Sequence, residues 1–425
     1  MTGSTKAPAG PLALPSSSLG RALAQNWGPL YYNRLFRALW LANLASDFGY
    51  WMNSVGASWT MTELSISPLM NTCIQASTTL PMFLLALPSG AIADAMDRPK
   101  LLAWVQAARG VFALALAVLS VSSWLSPYTL LASVFFLGVA NAIDLPASQA
   151  ALSEVVEPED IPVVASLNNL SFNLGRALGP ALAGFLLGRA GAFPVFALNA
   201  ASAFGLAVVY YRWHRETKAE SKKTGSLDLV AHIREAFVRC LANPRFRGLL
   251  ARIVVVYFCT NAFWCLVPIF SRNVLHLGST GFGVVMGAIG AGAVTAALSL
   301  PGLKRRFSLD RMIVCAAFIF AASQLAITFV PAMAAPVVAL GLGVSYAMLV
   351  SLFNATAQSM FPPEIRARAI SIYFICFYGV LAASSSIWGE IAERHGIELA
   401  LRGSSILLVV TALSLLVWPS RSEPR

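Results

Sequence analysis

Two aspartates and two arginines lie within long apolar stretches of this sequence, where ionised side chains are uncommon. Asp47 and Asp144 are carboxylates that could bind and release a proton, and Arg109 or Arg176 could partner a carboxylate in one conformational state. In hydrocarbon each charge would cost at least about 2.5–3.5 kcal/mol, so each needs a polar neighbour or a function. The four are therefore candidates for proton coupling. The alternative is a permanent structural ion pair.

The residues around both aspartates repeat at the spacing of a helix. Those that share a helical face with Asp47 are Asn43, Trp51 and Ser54, and those that share one with Asp144 are Asn141 and Ser148. Faces this polar are unsuited to contact with lipid. We therefore expect both faces to line a polar cavity that holds a substrate.

Aromatic and amide side chains in the second half of the sequence extend this candidate cavity. They are Tyr257, Asn261, Trp264, Asn354, Gln358, Tyr373 and Phe377. Such groups suit a large, partly apolar ligand with little or no charge. Asn261 and Gln358 are the strongest candidates, because buried amides need hydrogen-bond partners. Neither a metal nor another cofactor is expected, since the six cysteines are scattered without a CxxC pair.

The elements that must position these residues are apolar helices. Of the 425 residues, 57% are hydrophobic and 12% are charged, whereas soluble domains carry about 25% charged residues. Continuous apolar runs of about 20 residues are long enough to cross a bilayer as helices. Twelve such runs lie at 35–60, 69–92, 101–122, 128–152, 163–187, 193–213, 248–271, 281–301, 310–330, 335–360, 369–391 and 398–418. The sequence predicts an all-α membrane protein with twelve transmembrane helices.

Repeated motifs divide these helices into two groups of six. Phe-Arg-Ala-Leu at 36–39 has a counterpart in Phe-Arg-Gly-Leu at 246–249, 210 residues further on. The predicted domains are an N-terminal tail at 1–33, six-helix pseudo-repeat halves at 34–213 and 248–418, a linker at 214–247 and a C-terminal tail at 419–425. Duplication in so apolar a chain is typical of transporters whose substrate path runs between two halves.

The net charge of +11 indicates membrane topology rather than nucleic-acid binding. An even number of helices puts both termini on one side, and the opposite side then holds few basic residues, namely Arg189, Arg272, Arg394 and Arg402. This bias predicts cytoplasmic termini in a plasma membrane, or bacterial inner membrane. Residues 228–242 have the spacing of an amphipathic helix on the inner membrane surface.

The segment 90–100 resembles the signature loop between the second and third helices of the major facilitator superfamily. Asp94 and Arg98 match that pattern, whereas Ala95 replaces the usual arginine and Asp97 stands where glycine is common. The resemblance implies the major facilitator fold and a loop that latches the cytoplasmic gate. The candidate gating residues are Gly90, Asp94, Asp97, Arg98, Lys100, Arg366 and Arg368. The acidic segment 154–160 is either a solvated loop or a salt-bridge partner of Arg366 and Arg368.

A second stretch is similar to the Gly-Pro signature of exporters in the same superfamily. It contains Gly175, Gly179, Pro180 and Gly184. Small residues one turn apart let helices approach closely, and proline bends a helix. The likeness extends from about residue 30 to 418, through segments such as 34–40, 146–149 and 166–173. It indicates the subfamily that includes the enterobactin exporter and the transmembrane secretion effectors.

These observations predict a secondary active transporter that exports a small organic solute in exchange for protons by alternating access. A siderophore-like metabolite is the first candidate, and a lipophilic drug, as in multidrug efflux by an antiporter, is the second. An importer on the same fold and a non-transporting membrane receptor are the alternatives. No HExxH, GxSxG or GxxxxGKS/T motif occurs, so no enzyme activity and no ATP drive are expected. The expected partners are the solute, protons and the lipid bilayer, without nucleic acid, for a protein acting as a monomer.

Overall fold

The computed structural model describes residues 27–86, 88–216, 238 and 240–417. Within these residues twelve α-helices have 18 or more residues: α1 Arg34–Leu64, α2 Pro68–Leu85, α3 Arg98–Ser120, α4 Pro127–Val155, α5 Ile161–Ala190, α6 Ala192–Glu216, α7 Pro244–Asn273, α8 Ser279–Lys304, α9 Leu309–Ala326, α10 Ala335–Ser359, α11 Pro363–His395 and α12 Ile397–Val417. A short helix, Pro88–Ala95, lies between α2 and α3. Most of the predicted N-terminal tail and linker, most of the predicted helix at 228–242, and the tail at 419–425 lie outside the described residues.

The residue before a helix helps to determine where that helix begins, and the same residue type precedes both α1 and α7. Asn33 precedes α1, and its side chain accepts a hydrogen bond from the backbone N–H of Phe36 at 2.9 Å. Asn243 precedes α7 and accepts from the backbone N–H of Arg245 at 3.0 Å. Asparagine is favoured here because its side chain satisfies a free N–H of the first turn. The two caps lie 210 residues apart, like the repeated Phe-Arg motif beside them.

The ends of α5 and α11 repeat in the same way. Both helices stop at a glycine, Gly191 with a φ of 73° and Gly396 with a φ of 93°. Only glycine adopts such angles without strain, so it ends the helix and turns the chain. The two glycines lie 205 residues apart, close to the spacing of the two asparagine caps.

Ten of the long helices are apolar enough to cross a membrane. The other two, α1 and α2, carry more polar residues, among them Asp47, Gln75 and Thr78, which face the interior of the protein. The prediction of an all-helical membrane protein is confirmed by these helices and by the fold comparison reported below.

We divide the helices into two sets by their order in the chain. Helices α1–α6, here the N-terminal set, pack on one another, and α7–α12, the C-terminal set, do likewise. The sets meet mainly where α2 packs on α11 and α5 packs on α8. Successive helices run in opposite directions, so helix ends lie at two faces. We call the face where α1 begins and α12 ends the terminal face, and the opposite one the far face.

Close contact between α5 and α8 depends on glycine. A Cβ atom on Gly184 would lie 2.6 Å from Cα of Gly283, and one on Gly290 would lie 2.5 Å from Cα of Ala177. Side-chain carbons do not approach backbone atoms so closely, so the two helices touch backbone to backbone.

The same stretch of α5 also packs on α1. A Cβ on Gly175 would lie 3.0 Å from the carbonyl carbon of Asp47, and one on Gly179 would lie 2.9 Å from Cβ of Trp51. Pro180 is buried inside the helix. This Gly-Pro stretch thus joins a helix of its own set to a helix of the other set, and it fixes the backbone beside Asp47.

Candidate functional site

A cavity of about 570 Å³ lies between the N-terminal and C-terminal sets. Helices α1–α5 form one wall, and α7, α8, α10 and α11 form the other. Exposed residues of α4 and α5, among them Gln149 and Asn169, line its end nearest the terminal face. The cavity therefore opens toward that face.

The two walls differ in chemistry. All four charged residues that line the cavity (Asp47, Arg109, Asp144 and Arg176) belong to the N-terminal set. The wall from the C-terminal set is apolar or aromatic and consists of Trp264, Val267, Pro268, Phe282, Met286, Tyr346, Tyr378 and Leu381. A ligand in this cavity meets polar groups on one side and rings and aliphatic groups on the other.

Eight of the residues proposed from the sequence line this cavity. They are Asn43, Asp47, Trp51, Arg109, Asn141, Asp144, Arg176 and Trp264. Ser54 and Ser148, the other members of the two polar helical faces, line it as well. The faces of α1 and α4 that carry the two aspartates are thus turned toward the cavity.

A chain of hydrogen bonds joins three of the charged or amide residues. Gln106 donates through Nε2 to Oδ1 of Asp144 at 2.8 Å, and its Oε1 accepts from Nη1 of Arg109 at 3.0 Å. Gln106 and Arg109 are both buried. The positive charge of Arg109 attracts Asp144 and also Asp47. Arg109 is therefore the cation that attracts both carboxylates.

Asp47 has its own hydrogen-bond partner on the neighbouring helix. Its Oδ2 accepts from the hydroxyl of Ser171 at 2.5 Å. Among the described residues no cation lies within 4 Å of either Asp47 or Asp144. In this conformation the four charges do not form a direct ion pair, and both carboxylates are half-buried at the cavity wall.

Arg176 lies apart from this network. Its Cζ atom is 5.7 Å from the ring centre of Trp51, in a cation–π arrangement. Tyr346, on the C-terminal set, lines the same cavity. In the described part of the chain no carboxylate lies within 4 Å of its guanidinium group.

Six of the proposed cavity residues do not line the cavity. Three are aromatic and pack within the C-terminal set: the Tyr257 ring lies 4.6 Å from Phe377, which stacks on Tyr373 at 6.2 Å between ring centres. Tyr257 and Tyr373 are almost fully buried. These rings act as core packing here, because the face of α7 that carries Tyr257 points at α10 and α11.

The three amides are also placed away from the cavity. Asn261 is fully buried, and its Nδ2 donates to the carbonyl of Leu381 and to the hydroxyls of Ser384 and Ser385 at 2.9–3.0 Å. Gln358 is exposed and donates to Asn354 one turn earlier at 2.5 Å. The hydrogen-bond partners of Asn261 therefore lie on α11 of the same set.

The sequence did not single out several residues that the cavity uses. Gln106, which links Asp144 to Arg109, lies three residues before Arg109 and so on the same helical face; that spacing was the available signal. Tyr346 lies eight residues before Asn354, about two turns earlier on α10, whereas Ser171 had no comparable signal, since a single hydroxyl in an apolar run is common. Their roles depend on which helices meet.

The gating loop contacts its own set at the terminal face. Arg98 contacts Glu154, and Asp97 accepts from the backbone N–H of Lys100 at 2.9 Å while lying 3.1 Å from Nδ1 of His214. The short helix holds Gly90, where a Cβ would meet nothing within 4 Å. The side chain of Asp94 lies outside what the structure describes.

The alternative pairing of the acidic segment with the other set is not formed in this conformation. Nε of Arg366 donates to the carbonyl of Phe361 at 3.4 Å, within its own set, and Arg368 is exposed. Glu154 instead contacts Arg98, as described above, and Asp160 accepts from the hydroxyl of Tyr32. The acidic segment therefore holds the N-terminal set together.

The far face, in contrast, is joined across the two sets. Glu393 near the end of α11 accepts from the hydroxyl of Ser67 at 2.7 Å and from the backbone N–H of Leu69 at 3.1 Å. Arg272 at the end of α7 donates to the carbonyl of Thr62. A cavity that opens at one face and is closed by cross-set contacts at the other defines a membrane transport protein.

Comparison with known proteins shows the family to which the chain belongs. The family described as transmembrane secretion effector matches residues 24–422, and the chain belongs to this family of the major facilitator superfamily. The superfamily resemblance inferred from the sequence is thereby confirmed.

Individual relatives agree with this family. The staphyloferrin A transporter of Staphylococcus aureus (strain NCTC 8325 / PS 47) is 23% identical over 283 residues, which cover 66% of this chain and 70% of that protein. The uncharacterized MFS-type transporter YfiS of Bacillus subtilis (strain 168) is 28% identical over 203 residues, 46% of each chain. A crystal structure of a POT family transporter in complex with 5-aminolevulinic acid has the same fold, with a TM-score of 0.73, 14% identity, and coverage of 92% of this chain and 97% of that one.

Proposed function

We propose that this protein is a proton-coupled secondary transporter that exports an organic solute by alternating access. It would have twelve spanning helices in two related six-helix halves. Support for the two halves comes from the paired caps Asn33 and Asn243 and from the paired helix ends Gly191 and Gly396. Helices α1 and α2 count as spans in this proposal because their polar residues face the cavity rather than lipid.

One observation carries the coupling proposal. Two half-buried carboxylates, Asp47 and Asp144, share the single cation Arg109, and neither is within 4 Å of it. A carboxylate without a close cation can take up a proton at low cost, because protonation then breaks no ion pair. Binding of a proton at one carboxylate removes its attraction for Arg109 and its repulsion of the other carboxylate, and would thereby alter the packing of α1 against α4.

Alternating access follows from where the sets touch. In the proposed cycle the solute enters the cavity from the terminal face while Glu393, Arg272 and the glycines of α5 and α8 hold the far face closed. Rocking of one set against the other would break these contacts and release the solute at the far face. Proton uptake by Asp47 or Asp144 at the far face would favour the return.

Direction and substrate are proposed from the family. The description of its members as secretion effectors supports export, and the name of the staphyloferrin A transporter supports a siderophore-like metabolite. The distribution of Lys and Arg supports a cytoplasmic terminal face and a position in the bacterial inner membrane. A lipophilic drug is the second substrate class, since the C-terminal wall of the cavity is aromatic.

The test compares culture medium and cell extract of strains with and without the gene, grown in iron-poor and iron-rich media, by untargeted mass spectrometry. A compound that accumulates in cells lacking the protein, and leaves when the gene is restored, supports export. A compound left in the medium only when the protein is absent reverses the direction to import. Equal distribution under every condition contradicts transport.

A further inference from the structure

Two arginines face the same cavity, but only one of them is engaged. Arg109 donates to Gln106 and attracts two carboxylates. Arg176 has no acceptor among the described residues and lies over the ring of Trp51. Because arginine stays protonated and offers five N–H donors, Arg176 presents a permanent positive charge whose hydrogen bonds are available to a ligand.

Two further donors beside Arg176 lack acceptors. The indole nitrogens of Trp51 and Trp264 are buried, and neither has a hydrogen-bond partner within the described part of the chain. An indole N–H can only donate, and leaving a buried donor unpaired costs about 1–3 kcal/mol. Both residues line the cavity, but their nitrogens are covered in this conformation, so an acceptor on a ligand would reach them only after the rings turn.

Tyr346 completes the group. Its ring lies 4.9 Å from Trp264, and it lines the same cavity as Arg176. We call Trp51, Arg176, Trp264 and Tyr346 the donor cluster. Two members come from the N-terminal set and two from the C-terminal set, and all four line the same cavity.

We propose that the donor cluster binds a carboxylate group of the transported solute. The inference rests on the proposed transport function and names its substrate class: an organic acid with an apolar or aromatic body. A guanidinium group pairs with a carboxylate through two parallel hydrogen bonds, and the indole N–H groups can donate to the remaining lone pairs. The apolar wall of Val267, Phe282 and Met286 accommodates the carbon skeleton.

The charge balance of the cavity favours a carboxylate over a phosphate. Two aspartates and two arginines line the cavity, so their charges cancel, and a bound carboxylate would add one negative charge where a phosphate dianion would add two. A phosphate dianion would carry a second negative charge into a cavity that already holds two carboxylates, and like charges repel there.

A bound carboxylate would also connect the two sets. It would join Trp51 and Arg176 on α1 and α5 to Trp264 and Tyr346 on α7 and α10, so the loaded cavity contracts around the solute. A neutral analogue would lack this connection. Recognition of the acid group and closure of the cavity are thus the same event in this proposal.

The test uses the full-length protein in lipid nanodiscs and isothermal titration calorimetry with three probes. These are 4-phenylbutyrate, the neutral 4-phenylbutyramide and 3-phenylpropylphosphonate. We expect the wild type to bind the carboxylate about tenfold or more tightly than the amide, as a charge-assisted hydrogen bond implies. Equal affinity for the two, failure of both to bind at millimolar concentration, or tighter binding of the phosphonate overturns the inference.

Variants test which residue causes the preference for the carboxylate probe. Arg176→Gln should abolish the preference for the carboxylate and leave amide binding unchanged, whereas Arg176→Lys should retain part of the preference. The matched control is Arg189→Gln, since Arg189 lies on the same helix and also over a ring, that of Phe185 at 4.9 Å. If Arg176→Gln does not fold, Trp264→Phe, which removes one N–H and keeps an aromatic ring, should weaken carboxylate binding alone. Retention of the full preference in every variant overturns the assignment.

Failure of this inference and failure of the transport proposal give different results. An exported solute without a carboxylate, or export that ignores Arg176→Gln, overturns the carboxylate assignment and leaves the transporter. A carboxylate preference that depends on Arg176 in a protein that moves no solute overturns transport and leaves the binding site.

Discussion

Glu393 caps a helix of the other set. Its carboxylate accepts from the hydroxyl of Ser67 and from the first turn of α2, so the end of α11 is held to the start of α2 at the far face. A carboxylate at a helix N-terminus gains from the free N–H groups and from the helix dipole. In this conformation, in which the far face is closed, the contact joins the two sets.

Substitution of Glu393 should therefore shift the protein toward the conformation that is open at the far face. Glu393→Gln removes the charge and should cost about 0.3–1 kcal/mol at this exposed site, a shift of roughly two- to fivefold in the conformational equilibrium. Spin labels at the ends of α2 and α11 would measure the change by double electron–electron resonance. Glu390→Gln is the matched control, because Glu390 pairs with Arg394 on its own helix. An unchanged distance distribution in Glu393→Gln would contradict this role.

Proton coupling should depend on Asp47. The neutral Asp47→Asn cannot bind a proton, so we expect solute movement driven by a pH gradient to fall about tenfold or more while exchange of labelled for unlabelled solute continues. The expectation follows from the requirement that only a titrating group can link the two fluxes. Proteoliposomes loaded with the exported solute would report both rates.

Glu63→Gln is the control for Asp47. Glu63 lies on the same helix outside the cavity and accepts from Nε1 of Trp59 at 2.8 Å. If Asp47→Asn keeps full gradient-driven transport, the coupling role passes to Asp144, which the same assay tests through Asp144→Asn.

The glycine contact between α5 and α8 should tolerate no side chain. Gly184→Val would place atoms within 2.6 Å of the Gly283 backbone, and overpacking of this kind costs about 1–3 kcal/mol. We expect the closed far face to be destabilised, which increases alkylation of a cysteine introduced near that end of α8. Gly205→Val is the control, since a Cβ there meets nothing within 4 Å. Equal alkylation of the two variants would show that the contact does not keep the face closed.

Asn261 should matter for stability rather than for the choice of solute. Asn261→Leu leaves the carbonyl of Leu381 and two serine hydroxyls without their shared donor, at a cost of about 1–3 kcal/mol. Thermal unfolding in detergent should occur at a lower temperature, with unchanged relative affinities for different solutes. Asn354→Leu, which alters only a contact with exposed Gln358 among the hydrogen bonds identified, should leave the unfolding temperature nearly unchanged. A changed solute preference in Asn261→Leu would return this residue to the binding site.

The sequence by itself determined the helices, their polar faces in the first half and the family. Hydropathy is a local property that sets where a membrane helix begins and ends, and the spacing of Asn43, Asp47 and Trp51 sets which residues share a face. Motifs such as the Gly-Pro stretch of α5 are also local, so they were sufficient to recognise the superfamily.

Only the tertiary structure decided which faces meet across the cavity. The same reasoning from residue types placed Asn261 and Tyr257 in the cavity, yet α7 turns them toward α10 and α11, where Asn261 finds its acceptors. Rotation of a helix about its axis depends on the shape and hydrogen bonds of all its neighbours, which no spacing along one helix encodes. For the same reason the presence of Arg176 and Tyr346 in one cavity, and the contact of Glu393 with Ser67, followed from the packing of the two sets and not from the sequence alone.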